Sequence, residues 1–380
     1  MLGACSLVAL LALVVVASRS GPAPVLVGLL LALLPIPILL ALVLYLDRLE
    51  PEPRALLAAM FGAGAGIAAV TAFVGRGLHT GVITIPELGP HPVQPVAVGL
   101  GAALGGALVA ESLQGGVMLA LLSSRRTEID GAHDGVVYAS MIGLGFAMVA
   151  NVYALVEAQR AGVTALVETF AGRGIFGPLW EALFTSMIGL GVAYAAARRG
   201  SEGYWAIAVG WVAAVALSTL WNNSVGKGGA ALATTYLILV AALIVVMVLV
   251  VADRRRIVAM INMFLPRFEH PAVVTAPDIT MLASLRLRRA GRHWARLNIG
   301  VAAMRAMTEY QLAATELAMA CNRNRLGQTT SEAYSRHRDD SLSLMRSAAE
   351  VVRARQPLTA PPWLNTNDRS VFVKSTARQG

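Results

Sequence analysis

The sequence predicts an all-α protein: a polytopic membrane bundle of about eight spans, followed by a small basic helical domain. Three observations predict it. Of 380 residues, 56% are hydrophobic and only 14% are charged, against about 25% charged in an ordinary soluble domain. The apolar residues gather into runs of the ~20 residues that a helix needs to cross a hydrocarbon layer. The charge is also lopsided. Between Asp253 and Gly380 there are 20 Arg and Lys against 10 Asp and Glu, so that stretch carries +10 while residues 1–252 carry −1. Beside a membrane, a basic tail of this kind meets anionic lipid headgroups. The two cysteines, Cys5 and Cys321, lie at opposite ends and imply neither a disulfide framework nor a metal cluster.

Residues 2–18 form a first apolar stretch with no basic flank, expected as a retained span more than a cleaved signal. Span two covers 23–46 and should kink at Pro35 and Pro37. The charged turn DRLEPEPR, 47–54, follows, where Pro51 and Pro53 stop the helix. Span three, 55–75, contains GAGAG, and small residues let helices approach closely. A polar Pro/Gly-rich loop occupies 75–95. Spans four to eight are expected at 96–122, 135–157, 175–197, 204–223 and 231–252, with Asp134 as the N-cap of span five. Short loops divide their basic residues almost evenly, and the Arg254–Arg256 cluster then places both termini in the cytoplasm.

The chain thus divides at 252 into a membrane domain and a helical domain over 253–356, with disorder expected over 357–380. Residues 278–325 repeat apolar residues at helical spacing, with Asp278 as N-cap and Trp294 in the core. A second amphipathic helix, about 330–355, begins after Thr330 or Ser331 and should pack on the first as a hairpin. Arg286, Arg288, Arg289, Arg292 and Arg296 read as a solvated face, and no nucleic-acid-binding signature accompanies them.

Chemistry is expected first in the membrane. Glu111 interrupts an apolar run, and a carboxyl at that depth costs several kcal/mol, on the order of 2.5–3.5 by insertion scales. It sits eleven residues from the nearer polar loop, roughly 16 Å deep at ~1.5 Å per residue. The plain reading is a protonated acid hydrogen-bonded to a neighbouring helix. A second reading pairs it with Glu181, the two sharing one proton as carboxylate dyads do. The Gly105-Gly106 and Gly115-Gly116 pairs around Glu111 favour close packing or local helix opening. A solute transporter finds little support, because the span pattern carries no inverted repeat.

Six motifs in fixed order carry a resemblance: DRLEPEPR with Asp47, Arg48, Glu50 and Pro51; a Glu within span four; D-G-V-V-Y with Asp134, Gly135 and Tyr138; GLGFAMVAN at 143–151; PLWEALFT at 178–185; and TLWNN at 219–223. Together they resemble the PrsW family of intramembrane proteases, and the tail resembles the cytoplasmic extension of actinobacterial members. The resemblance implies cleavage of a single-span protein such as an anti-sigma factor, by Glu and His side chains on facing helices, with or without a metal. It also implies departures. The family's Glu-Glu pair and following Lys read Ala110, Glu111 and Gln114 here, and the Glu expected before Asn151 is Ala150. Two expected His are Glu181 and Ser218, while Asn151, Trp221 and Asn222 remain. Ala150, Ser218, Glu111 and Glu181 all fall between mid-membrane and one leaflet, so they share a depth. No His lies within a predicted span, so neither a metal nor another cofactor is expected. The expected function is a degenerate, non-cutting protease that binds transmembrane helices or partner proteins; the alternative is an active peptidase using Glu111 and possibly Glu181.

Overall fold

In the computed structural model, residues 20–47, 52–79, 100–129, 131–197, 203–225, 227, 229–353, 361 and 363 are described, with 11, 14 and 16–18 before them. The chain divides into two compact units, Met1–Val251 and Ala252–Gly380. Among the described residues there is no strand beyond isolated bridges of Glu269 and His270 to Val274.

The first unit is a bundle. Helix α1 (Pro22–Leu33) and α2 (Ile36–Leu46) are one apolar run broken at Leu34-Pro35, as the prolines predict. Then come α3 (Arg54–His79), α4 (Leu100–Ser124), α5 (Ala132–Ala161) and a short α6 (Val163–Thr169). A π-helical turn, Phe170–Gly174, leads into α7 (Gly177–Ala196), followed by α8 (Tyr204–Ser224) and α9 (Gly229–Phe264). Seven stretches of the described residues are long and apolar enough to span a membrane. The first expected span, 2–18, and the loop at 80–95 fall mostly or wholly outside the described residues, as do Arg48, Glu50 and Pro51. The segment 163–174, read from sequence as a loop, is helical, so the sixth predicted span starts earlier than 175.

Helix α5 is the pillar. Its apolar window is 78% buried, against 22% for α1–α2 and for α9. It packs against α7, α3, α1 and α2, while α4 packs against α8 and α7. These contacts are backbone-close. A Cβ on Gly135 would strike the Gly189 carbonyl on α7, and a Cβ on Gly189 would strike that of Gly135. A Cβ on Gly143 would lie 2.6 Å from the Glu181 carbonyl oxygen. Such small residues allow dispersion contacts to replace the hydrophobic drive that lipid cannot supply.

One polar knot ties the ends of α2, α3 and α5, and it is built from two of the sequence motifs. The Glu52 N–H donates to both Asp47 oxygens, at 3.1 and 3.2 Å. The Tyr138 hydroxyl donates to the Glu52 carboxylate. His133, expected in a loop, is instead buried in the first turn of α5 and bridges the Leu46 carbonyl (2.6 Å) and the Asp134 carboxylate (3.2 Å). Asp134 is not the N-cap. It is the third residue of α5, and its carboxylate reaches back to the Gly131 N–H at 2.9 Å, so it caps from inside the first turn. Arg126 donates to the Ala195 and Ala196 carbonyls that end α7, a favourable place for a cation.

The second unit is described by itself. The single helix expected over 278–325 is three: α10 (Ala276–Leu282), α11 (Leu285–Asn298) and α12 (Val301–Arg325), followed by α13 (Ser331–Arg353). Asp278 again caps from the third position, accepting the Thr275 N–H (3.0 Å) and hydroxyl (2.7 Å). Thr330 accepts the Ala333 N–H and caps α13. Helices α12 and α13 pack together around Trp294, Leu317 and Met345. Arg288 is not on a solvated face. It is 1% exposed and donates to the Leu282 carbonyl and the Thr315 hydroxyl, both at 2.7 Å. Trp363, in the stretch expected to be disordered, packs edge-on against Trp294 and donates to Asp278 at 3.0 Å.

Gly189→Ala should destabilise the bundle by about 1–3 kcal/mol, the usual cost of overpacking. Gly116→Ala, where no atom lies within 4 Å, should not; thermal unfolding of the purified protein in detergent compares them. Burial pushes the Asp47 carboxyl up from 3.8 to about 6, against the pull of the Glu52 N–H and His133. Between those values the fold holds a proton that the unfolded chain has released, so stability falls as pH rises through the window and levels above about 6. Asp47→Asn keeps an acceptor for Glu52 and should flatten that slope in melting curves taken across the window.

Candidate functional site

Helices α4, α5, α7 and α8 each turn polar side chains into one buried region. Residues 110–114 of α4 contribute Glu111 and Gln114, both fully buried. From α5 comes Asn151, and from α7 come Glu181 and Thr185. Ser218 and Asn222, one turn apart on α8, complete the set. Glu111 and Glu181 lie within electrostatic range of each other, so the structure brings together the two carboxyls that the sequence singles out.

The region is short of partners. The partner of the Glu111 carboxyl is the Ser218 hydroxyl of α8, at the edge of hydrogen-bonding range. Gln114 accepts from the Thr185 hydroxyl at 2.9 Å, and its own amide nitrogen is unpaired. The Asn151 amide nitrogen is likewise buried and unpaired. Asn222 donates to the Ser218 carbonyl at 2.9 Å and accepts from Arg173 at 3.4 Å. Trp221 packs with Trp180 and Tyr236, at ring-centroid distances of 6.4 and 5.7 Å; the Trp180 N–H faces the Tyr236 hydroxyl, and the Trp221 N–H is unpaired.

The substituted positions divide into two environments. Ala110 is buried in an apolar cluster with Ala65, Ala68, Phe146 and Val149, and Ala150 packs against the same cluster. The two positions where acidic residues are expected are thus adjacent, and both are methyl-lined. Gln114, Glu181 and Ser218 stay on the polar side.

Two residues of this region escape sequence reasoning. Thr185 lies inside the PLWEALFT motif, which is the signal that points to it. Arg173 reads from sequence only as a loop charge; the π-helical turn carries it onto Asn222 and within electrostatic range of Glu181. Among the described residues, no three His, Cys, Asp or Glu side chains converge as metal ligands. His133 is engaged in the polar knot, and His270, His293 and His337 belong to the second unit.

An unsatisfied buried polar group costs about 1–3 kcal/mol. Glu111→Leu should therefore raise the thermal stability of the purified protein by an amount of that order. A loss of stability would give Glu111 a structural role instead.

No curated protein and no solved structure matches the chain. A family model described as PrsW family intramembrane metalloprotease matches residues 52–252, more than half of the 380 residues and all four helices of the polar region. The chain belongs to the PrsW family of intramembrane metalloproteases.

Proposed function

We propose that this protein is a non-cutting member of its family, which binds the membrane-spanning segments of partner proteins. The observation that carries the reading is the pair Ala110 and Ala150, packed against one apolar cluster where an acid–base set would need carboxylates. The metal in the family's description does not fit the residues present. A catalytic zinc takes three protein ligands, drawn from His, Cys and carboxylate. The polar region offers two carboxyls and carboxamides, with no His among its described residues. What remains suits binding: unpaired N–H groups on Gln114 and Asn151 beside the Glu111 carboxyl, buried between four helices. A guest that supplies their hydrogen bonds recovers the cost of leaving them unmade.

The closeness of Glu111 and Glu181 favours a second reading, an active peptidase without a metal. One carboxylate would take a proton from the attacking water and the other, protonated, would give one to the leaving amine. In either reading the protein is a multi-pass protein of a bacterial cell membrane with both termini cytoplasmic. The Arg254–Arg256 cluster and the Arg-rich, Lys-poor composition support that placement. Single-span proteins such as anti-sigma factors are the proposed partners, and the basic second unit is proposed to meet anionic headgroups.

Co-expression with tagged single-span proteins, with wild type and Glu111→Gln compared, tests both readings. Co-purification without cleavage is the expected outcome. Cleavage by wild type that Glu111→Gln abolishes overturns the binding reading and establishes the peptidase.

A further inference from the structure

The second unit carries a cavity that the membrane region does not share. Its volume is about 480 Å³, and it lies between two walls. One wall is the stretch that follows α9, with Arg267, Phe268 and His270; the other is α13, with Leu342 and Arg346 one turn apart. Backbone bonds fix the first wall. The His270 N–H donates to the Val274 carbonyl at 3.0 Å, and the Val273 and Val274 N–H groups donate to the His270 carbonyl at 2.8 and 3.1 Å. The Ala272 N–H donates to His270 Nδ1 at 3.1 Å. That nitrogen therefore carries no proton, and the ring keeps its Nε2–H as a donor. The Arg267 guanidinium carbon stands 5.3 Å from the centroid of the buried Phe264 ring. This cation–π contact places the guanidinium without consuming its N–H donors. Among the described residues, neither Arg267 nor Arg346 closes a hydrogen bond or an ion pair. Glu269 opposes them with one carboxylate, which accepts the Ala276 N–H at 3.1 Å. Two guanidiniums against one carboxylate leave the cavity positive.

We infer that this cavity is a seat for a phosphate monoester. Donors reach it from both walls: two guanidinium forks and one imidazole N–H. A phosphate monoester offers three terminal oxygens and up to two negative charges, and guanidinium is the side chain best matched to it. The volume exceeds that of a phosphate group alone. Phe268 and Leu342, both half-buried, give the body that carries the phosphate an apolar surface. The seat lies wholly in the second unit and stands whether the membrane region binds or cuts. The phosphate is a small soluble ester or a lipid headgroup, and the two sources separate experimentally.

The test uses the full chain in nanodiscs of neutral phosphatidylcholine, with isothermal titration of phenyl phosphate. Phenyl phosphate should bind, phenol should not, and inorganic phosphate should compete. Arg267→Gln and Arg346→Gln should each weaken phenyl phosphate by about tenfold or more, the loss of a charge-assisted hydrogen bond. Arg289→Gln removes an exposed charge outside the cavity and should leave the affinity unchanged. Glu269→Gln keeps an acceptor for Ala276 and removes the opposing charge, so it should tighten binding; a purely structural role for this wall predicts no such gain. Matched melting curves show that the variants are folded. Phosphatidic acid in the nanodisc should displace phenyl phosphate, where phosphatidylglycerol at equal charge does not, if the seat takes a lipid phosphate. Equal affinities in the two bilayers assign it to a soluble ester. No binding of phenyl phosphate overturns the seat. Equal weakening by Arg289→Gln and Arg267→Gln also overturns it, since the attraction then belongs to the net charge of the unit.

Discussion

The bundle depends on one steric allowance. Helix α5 reaches the backbone of α7 only because the touching positions, Gly135, Gly143 and Gly189, carry no side chain. Within lipid there is no hydrophobic drive to press helices together, so close contact must supply the attraction through dispersion. That contact also fixes the site. Gly143 touches the carbonyl of Glu181 itself, so the spacing of α5 and α7 sets where the Glu181 side chain begins. Asn151, two turns further along α5, is placed by the same contact against the start of α7. A methyl at any of these positions separates the helices and opens the polar region at once.

The polar knot at the opposite end of α5 sets the remaining degree of freedom, its register along the helix axis. Asp47, Glu52, His133, Asp134 and Tyr138 link three helix ends through side-chain hydrogen bonds to backbone and to one another. Two glycines allow α5 to slide near α7; the knot allows one position only. The DRLEPEPR and DGVVY motifs, far apart in the chain, are thus halves of one device, with a structural account that needs no catalysis.

Much of this was legible in the sequence, and the misses have definite causes. Hydropathy placed the spans because length and composition suffice for that. The Pro35 break was legible because proline's ring acts locally. The depth agreement of Glu111, Ala150, Glu181 and Ser218 comes from counting residues along helices; the structure brings Glu111, Glu181 and Ser218 together, while Ala150 packs on a separate apolar cluster. Capping is half legible: the sequence predicts Asp134 and Asp278 as N-caps, yet each sits at the third helical position and reaches back. Composition cannot separate those two geometries, since both use an Asp near a helix start. Arg288 looked solvated because periodicity does not reveal which exposed-looking residue meets a carbonyl from the preceding turn. Arg173 was hidden for a stronger reason: a π-helical turn adds a residue to the register, and no periodic template contains it.

The two alanines argue beyond their own positions. Ala110 and Glu111 are neighbours in sequence, yet their environments differ, one apolar between α3, α4 and α5, the other polar toward α7 and α8. A consecutive pair on a helix points about 100° apart, so an acidic pair there spans two clefts. Losing the first carboxyl lets one cleft close over methyl groups and repays the loss in packing. Losing the second would do the same on the other side, and it has not happened: Glu111 stays fully buried beside the Ser218 hydroxyl. Burying a carboxyl there carries a desolvation cost that an apolar side chain would not. Gln114 and Asn151 keep unpaired buried amide nitrogens in the same region, a cost that the binding proposed for it would offset.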